Sequence, residues 1–581
     1  MIIIFSLFTI LSHEVELFED DITFSKTFIE PEVLYDLLNN PLDINKADYE
    51  DFLSMPYLTP VAFKSIINYR KRKGNFTKIE EVQLVEGVDE QLFNKIRPFL
   101  IVRTKPINKK LEIRNRTLKD SFSFNNQSKE LSISNRVKLK YGNFDLVFLT
   151  DKDALESNLL DFFSFGVSYS TKREQLLVGN YLLGFEQGLV FSKPYYSYVA
   201  TKTFSGLKTK EFSLLTSALE NTSLLGLAYS RNFNNFSFTG FLSSNHLDAE
   251  LDSNGFVKKI IHTGKHIDSV SLTNKDKLRE DLIGTRINYK IGGWILGFSG
   301  FHNRYNHFFA PEDSTNSFFG NRLTILGIDG SGVIGNYYWQ NEIAYSLGSG
   351  YGFSCGLTGD WKPLRISLNL FGTQKNFYSP HSRSYALINK KDNLNGNFNL
   401  NYEFYRFRLF FYGSTKTDFV VDSLPAKIET GIESKEGKLN IRISYKRTLK
   451  DDISKNQGTK FDLNFDFTRN FNLGFRFEDR QSLTKTGRGI LFRLSSNYKY
   501  RKLGYVGNIY WFEVTSSDCR VYAYELGLSG LGGNRSFADK GFRYHSFISY
   551  RINFINAGLK IGLTKLAQVI FDLGSQIEVH L

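Results

Sequence analysis

Leu439-Asn440-Ile441-Arg442-Ile443-Ser444-Tyr445-Lys446 sets an apolar residue against a polar one at every second position. After a polar interval the cadence returns in Phe461-Asp462-Leu463-Asn464-Phe465-Asp466-Phe467-Thr468. Past Arg469-Asn470 it returns again in Phe471-Asn472-Leu473-Gly474-Phe475-Arg476-Phe477-Glu478. A period of two gives a strand one apolar and one polar face, whereas a helix would spread these residues around its circumference. The same pattern fills most of the chain beyond residue 120. It is broken by tight turns such as Tyr141-Gly142-Asn143 and Gly292-Gly293, and by longer polar segments near 246–282, 373–393 and 447–458.

The solvent that meets the apolar face decides the fold. A chain of 581 residues is too long for one ordinary soluble core. No apolar run reaches the ~18 residues of a spanning helix. A sheet of this extent exposes edges unless it closes on itself. Tyr445, Phe467, Phe477, Tyr500, Trp511 and Phe512 lie near expected strand ends, as interfacial girdles require. The expectation is a mainly β chain, a large antiparallel transmembrane β-barrel of roughly 20–26 strands at ~10 residues per strand. Ile443 then faces lipid and Ser444 the lumen. Short turns are expected in the periplasm and the long segments outside. Residues 103–120 read as a polar lead-in, and the glycine-rich Gly327–Gly335 as a turn.

Ile2 to Leu11 reads as the apolar core of a secretion signal, which makes residues 1–20 a leader. Residues 30–104 form a separate all-α domain and 105–581 the barrel. Pro31–Asn39 opens the domain as a short amphipathic helix. Asn45 is placed to cap a helix over Lys46–Ser54. Thr59 caps the next, with Pro60 at its favoured first position and Gly74 as its stop. Thr77 and Glu80 form a capping box for a third, and Asp89 caps a fourth. Phe52, Phe63, Ile66, Val82, Leu92, Phe93 and Ile96 recur at helical spacing and define a small core.

Leu42-Asp43-Ile44-Asn45-Lys46-Ala47, Met55-Pro56, Ile66-Ile67-Asn68-Tyr69-Arg70, Gly74-Asn75-Phe76 and Leu84-Val85-Glu86-Gly87-Val88 resemble the tandem helix-hairpin-helix domain of competence-type DNA receptors. The resemblance implies backbone amides at each hairpin turn that approach a phosphate. The first turn here, Tyr57-Leu58-Thr59, lacks both turn glycines, and Gly87-Val88-Asp89 keeps one. The candidate nucleic-acid-binding residues are therefore Thr59, Lys64, Arg70, Lys71, Arg72, Lys73 and Gly87. Ten basic residues face nine acidic ones over 42–103, so no strong general attraction to DNA is expected. Leu176–Tyr181 with Gly184–Leu189 resembles a strand motif of Bacteroidota barrel proteins that carry an N-terminal helix-hairpin-helix domain. Asp572–Leu581 resembles the terminal signal read by the barrel-assembly machinery. These resemblances imply an architecture and a targeting route, and no activity.

No constellation points to an enzyme, a metal or a cofactor. His262 and His266 lie four apart, a spacing that converges on a metal from a helix and not from a loop. Ser379, His381 and Ser382 share one polar segment without a third group to orient a base. Gly184–Gly188 reads as a bend. Cys355 and Cys519 suit neither a disulfide framework nor a metal site. The net charge of +13 is interspersed, which fits a mixed-charge lumen. Two functions remain. One is a transport conduit of unspecified substrate. The other is a membrane-anchored module that binds DNA or a periplasmic protein. Outer-membrane lipid and the assembly machinery are expected partners of either.

Overall fold

The computed structural model describes residues 37–38, 40–47, 52, 55, 58–103, 109–122, 131–193, 211–309, 318–382, 393–417, 426–450, 453–528 and 533–581, apart from 157, 159, 267, 469 and 485. The expected leader, most of Pro31–Asn39 and most of Lys46–Ser54 lie outside the described residues.

Twenty-four antiparallel strands, from Lys109–Phe122 to Val569–His580, form one closed barrel. Closure comes from the first strand, which pairs with Ser132–Tyr141 on one edge and with the last strand on the other. Among the described residues no helix is long and apolar enough to cross a membrane. The alternation reads out as expected. Ile443 is 44% exposed on the outer face, while its neighbour Ser444 is 5% exposed and points inward. One outer row runs unbroken across seven strands: Ile432, Ile443, Phe461, Phe477, Phe492, Trp511 and Phe542 are successive cross-strand partners. Water would penalise such a belt, and hydrocarbon does not.

One rim carries the two-residue turns, including Gly142-Asn143, Gly292-Gly293 and Gly335-Asn336. Exposed aromatics flank them, among them Tyr141, Phe144, Phe233, Phe236, Phe404 and Tyr500. The opposite rim carries most of the long connections.

Four expectations need correction. Residues 109–122 are the first wall strand rather than a lead-in. Gly327–Ile334 is strand, with the turn only at Gly335-Asn336, because a glycine on the inner face makes room for another segment. A Cβ at Gly327 would stand 2.4 Å from Cγ2 of Val190. The polar segment near 447–458 is mostly strand, since Leu439–Lys450 and Ile453–Thr468 leave only two residues between them. Phe512 is no girdle residue; it points inward, 1% exposed, and its ring lies 4.7 Å from that of Phe537.

The long helix of the helical domain is α1, Pro60–Lys73. The Thr59 hydroxyl caps it by accepting from the Ala62 amide, and Gly74 ends it at φ 90°. A 3-10 turn over Ile79–Leu84 replaces the expected third helix. The capping box there does not form: Thr77 pairs with Glu81, and Glu80 pairs with Arg97. Asp89 caps α2, Glu90–Ile96, through the Leu92 amide at 2.7 Å. Asn45 caps nothing. Its amide instead clamps both backbone groups of Phe76, at 2.8 Å each, and so ties the two hairpins together. Leu42–Asp43 and Leu100–Ile101 pair in parallel and close the domain. Its core is the expected one, with Phe52, Phe63, Ile66, Val82 and Ile96 fully buried.

Placing an arginine at Ile443 should cost roughly 2–4 kcal/mol if the residue sits near the bilayer midplane. Ile443→Arg is expected to lower the yield of heat-modifiable, folded barrel on gels, while Ile443→Leu leaves it unchanged. Equal yields from both would contradict the assignment of this face to lipid.

Candidate functional site

The inner wall carries charge, and that charge is paired. Arg286 bonds Asp329 through both terminal nitrogens, at 2.7 and 3.0 Å, and Glu211 through Nε at 3.0 Å. Arg543 holds Glu525 at 2.6 and 2.7 Å and Asp572 at 2.7 Å. Arg476 pairs with Asp462 across neighbouring strands. Buried charges persist only when paired and hydrogen-bonded. Two of these partners, Glu211 and Glu525, lie outside the wall strands. The lumen is therefore filled where they reach it.

Among the described residues at least three connections supply the filling. The first leaves the wall at Gly184. Glu186 and Gly188 take positive φ, 32° and 77°, which aims successive amides at one point. There the Glu342 carboxylate accepts from the amides of Gln187, Leu189 and Val190 at 2.8–3.1 Å. The sequence motif read as a bend is thus an amide cradle for a wall carboxylate. The second, beyond Thr373, places Phe377, Tyr378 and Ser379 in the same buried cluster or against it, and Ser379 donates to the Val190 carbonyl. His381 meets Glu280 at 2.9 Å and stacks on Phe191. Ser382 bonds the Ser379 carbonyl, so both serine hydroxyls are engaged by backbone carbonyls.

The third connection forms a hairpin, Val521–Glu525 with Gly533–Phe537. It starts at the rim of long connections, where Val521, Ala523 and Phe537 pack on the inward Leu491, Tyr510 and Phe512. Glu525 is the partner of Arg543 deeper inside. Beyond it, Tyr524, Leu526 and Leu528 join the apolar cluster that contains the core of the helical domain, together with wall residues Val506 and Phe547.

The helical domain sits at the rim of short turns. The Thr59 hydroxyl donates to Asp360 at 2.7 Å, Lys64 Nζ donates to the Val333 carbonyl at 2.9 Å, and Lys362 Nζ meets Asp89 at 2.8 Å. Burial works against the Asp89 carboxylate, but the Leu92 amide and Lys362 outweigh it and hold its pKa below the usual range. Both hairpin turns therefore face one barrel turn, Lys362-Pro363. Of the residues picked from sequence for nucleic acid, Thr59 and Lys64 are engaged by the barrel. Arg70 spans the domain instead, donating to the carbonyls of Ile44 at 2.7 Å and Ala47 at 2.8 Å. Gly87 takes φ 95°, which explains its glycine. Lys71, Arg72 and Lys73 remain exposed at the end of α1.

A second polar cluster joins three long connections. His266, fully buried, has Nδ1 at 2.6 Å from Glu156 and Nε2 at 3.0 Å from Asp248. Asp153, Glu156 and His266 offer ligand atoms within 4.8 Å of one another and could hold a metal ion, though Lys275 also enters, pairing with Glu156 and Asp161. His262 is not part of this set. Sequence spacing could not find it, because the carboxylates come from a connection more than a hundred residues earlier. Burial, reinforced by Asp248, Glu156, Asp276 and Asp153, pushes Glu220 up to about 9.

Arg70→Gln should destabilise the helical domain by about 1.5–3 kcal/mol, the value of hydrogen bonds to a charged group. Lys71→Gln should stay within about 0.5 kcal/mol. Proteolysis of the domain in the intact chain across a urea series reads the difference. At the second cluster, a raised carboxyl pKa means the folded chain keeps a proton that the unfolded chain releases. The stability is full below the ordinary value near 4.5 and is lost progressively as pH rises towards about 9. Limited proteolysis of the long connections from pH 5 to 9.5 is expected to accelerate with pH, and Glu220→Gln to flatten that profile.

The profile of the helix-hairpin-helix motif matches residues 39–101. No curated protein matches the sequence. Among solved structures, the translocation pore of the P pilus usher PapC aligns at 8% identity and TM-score 0.37, covering 81% of this chain and 99% of that one. The ferric enterobactin receptor PfeA of Pseudomonas aeruginosa aligns at 8% and 0.41, covering 83% and 82%. The siderophore receptor PirA of Acinetobacter baumannii aligns at 8% and 0.39, with 83% and 82% covered. The likeness is that of one large barrel to another, and it reaches no individual residue.

Proposed function

We propose that this protein is a gated conduit of the outer membrane, exported by a leader in residues 1–20 and assembled through its C-terminal strand. The helical domain and the short turns lie in the periplasm, and the long connections face outward. The observation that carries this reading is the two-faced wall. An apolar outer row faces lipid, while a paired polar inner face encloses a lumen stopped by segments that the chain itself supplies. A barrel of this strand number encloses more space than its own inner side chains fill. Stopping such a space with removable connections, rather than with wall residues, suits a passage that opens on demand.

The second reading, a membrane-anchored DNA-binding module, has less support. Thr59 and Lys64 are committed to the barrel, and the Asp360 carboxylate stands at the N-terminus of α1, where an anion would bind. Of the candidate basic side chains, Lys71, Arg72 and Lys73 are left for phosphates. A periplasmic protein partner on that exposed face stays compatible with the conduit.

Planar-bilayer recording tests the conduit. The intact chain is expected to conduct little. Replacing residues 521–537 by a short Gly-Ser linker should give a large, lasting conductance. A folded variant that stays closed would count against a passage through this barrel.

A further inference from the structure

Beside the chain's entry into the barrel, where Lys110 donates to Asn40 at 2.6 Å, the helical domain is held on two sides of unlike chemistry, and that asymmetry has a mechanical reading. On one side its core is continuous with Tyr524, Leu526 and Leu528 of the inserted hairpin and with Val506 and Phe547 of the wall. These contacts are apolar and fully buried, and salt does not screen them. On the other side the holds are polar and few: Thr59 to Asp360, Lys64 to the Val333 carbonyl, and Asp89 to Lys362. The last pair is more than a third exposed on both partners, so it is weak and screened by salt. The wall strands between Asn393–Phe404 and Arg488–Tyr500 separate the two sides.

We propose that the helical domain is a door across the short-turn mouth, hinged on the inserted hairpin and latched on the barrel turn at Lys362. The proposal rests on the conduit reading. The hinge element also runs inside the wall from the rim of long connections to the helical domain. Val521 and Phe537 pack near the first, Glu525 is fixed midway by Arg543, and Leu526 and Leu528 reach the second. An event at the outer rim that shifts this hairpin therefore displaces the door directly. The altered hairpin turns follow from the same role. Thr59 carries the hydroxyl that reaches Asp360, and Asp89 carries the carboxylate that reaches Lys362. Two turns that would otherwise present amides to an anion present side chains to the barrel.

The test uses the full chain in lipid with two independent readouts. Carbodiimide coupling joins the Asp89 carboxylate to the Lys362 amine when the latch is closed, and peptide mapping measures the yield. Bilayer conductance measures the opening. Lys362→Glu sets a carboxylate beside Asp89 and Asp360, and is expected to raise the open fraction at least several-fold. Lys362→Arg keeps the charge but cannot be coupled, and should behave as the unmodified protein. Carbodiimide treatment should lock the wild type shut, even under high salt that otherwise opens it, and should leave the Lys362→Arg protein free to open. A Lys362→Glu protein no more conductive than wild type would overturn the door, provided the chain lacking 521–537 conducts. Silence from both would instead remove the conduit on which the door depends, and the door with it.

Discussion

A backbone amide in hydrocarbon has no water to turn to, so every wall strand needs a partner on both edges. The pairing of Lys109–Phe122 with Val569–His580 meets that demand, joining Ile113 to Val579 and Asn115 to Ile577 across almost the full length of the chain. Closure makes the alternating pattern meaningful. Once there is an inside, each polar position becomes a lumen position, and each connection must end in water or turn back into the barrel. The register is set by the same rule, since a slip of one residue would put Arg442 and Asp462 in lipid and Ile443 and Phe461 inside.

The lumen follows from closure but is not a simple pore. A wall that only lined water could leave its charges solvated. Here Arg286, Arg543 and Glu342 are buried and engaged by residues that arrive from connections, which lock the inward segments in place. Glycines on the inner face let those segments approach the wall backbone. At Gly489 a Cβ would stand 1.9 Å from the Cys519 carbonyl oxygen, just as Gly327 admits Val190. A glycine that looks like a turn in sequence acts here as a slot. The filling comes from separate connections of the chain, two of which meet in one buried cluster.

The helical domain keeps the core and caps of its motif while Thr59 and Asp89 meet the barrel. Its core, its two caps at Thr59 and Asp89 and its stop at Gly74 follow from local propensities, and they appear where the residues indicate. The face that the motif would offer to a phosphate is turned to the barrel. The substitutions at the turns are consistent with that orientation, since they add side chains that reach Asp360 and Lys362.

Local order was legible in the residues themselves. Alternation with period two determined strand and face, because side-chain direction in a strand depends only on position parity. The caps at Thr59 and Asp89 determined two helical segments, because caps act within one turn. What stayed hidden depends on distant parts of the chain meeting. Asn45 clamps Phe76 rather than capping a helix, Arg70 braces Ile44 and Ala47 rather than facing DNA, and His266 meets Glu156 rather than His262. None of these pairs has a signature in spacing, since their separation is set by how the chain folds and not by any local period. The filled lumen is the clearest case. Alternation shows that an inner face exists, but only the tertiary structure decides whether water or the chain's own connections will cover it.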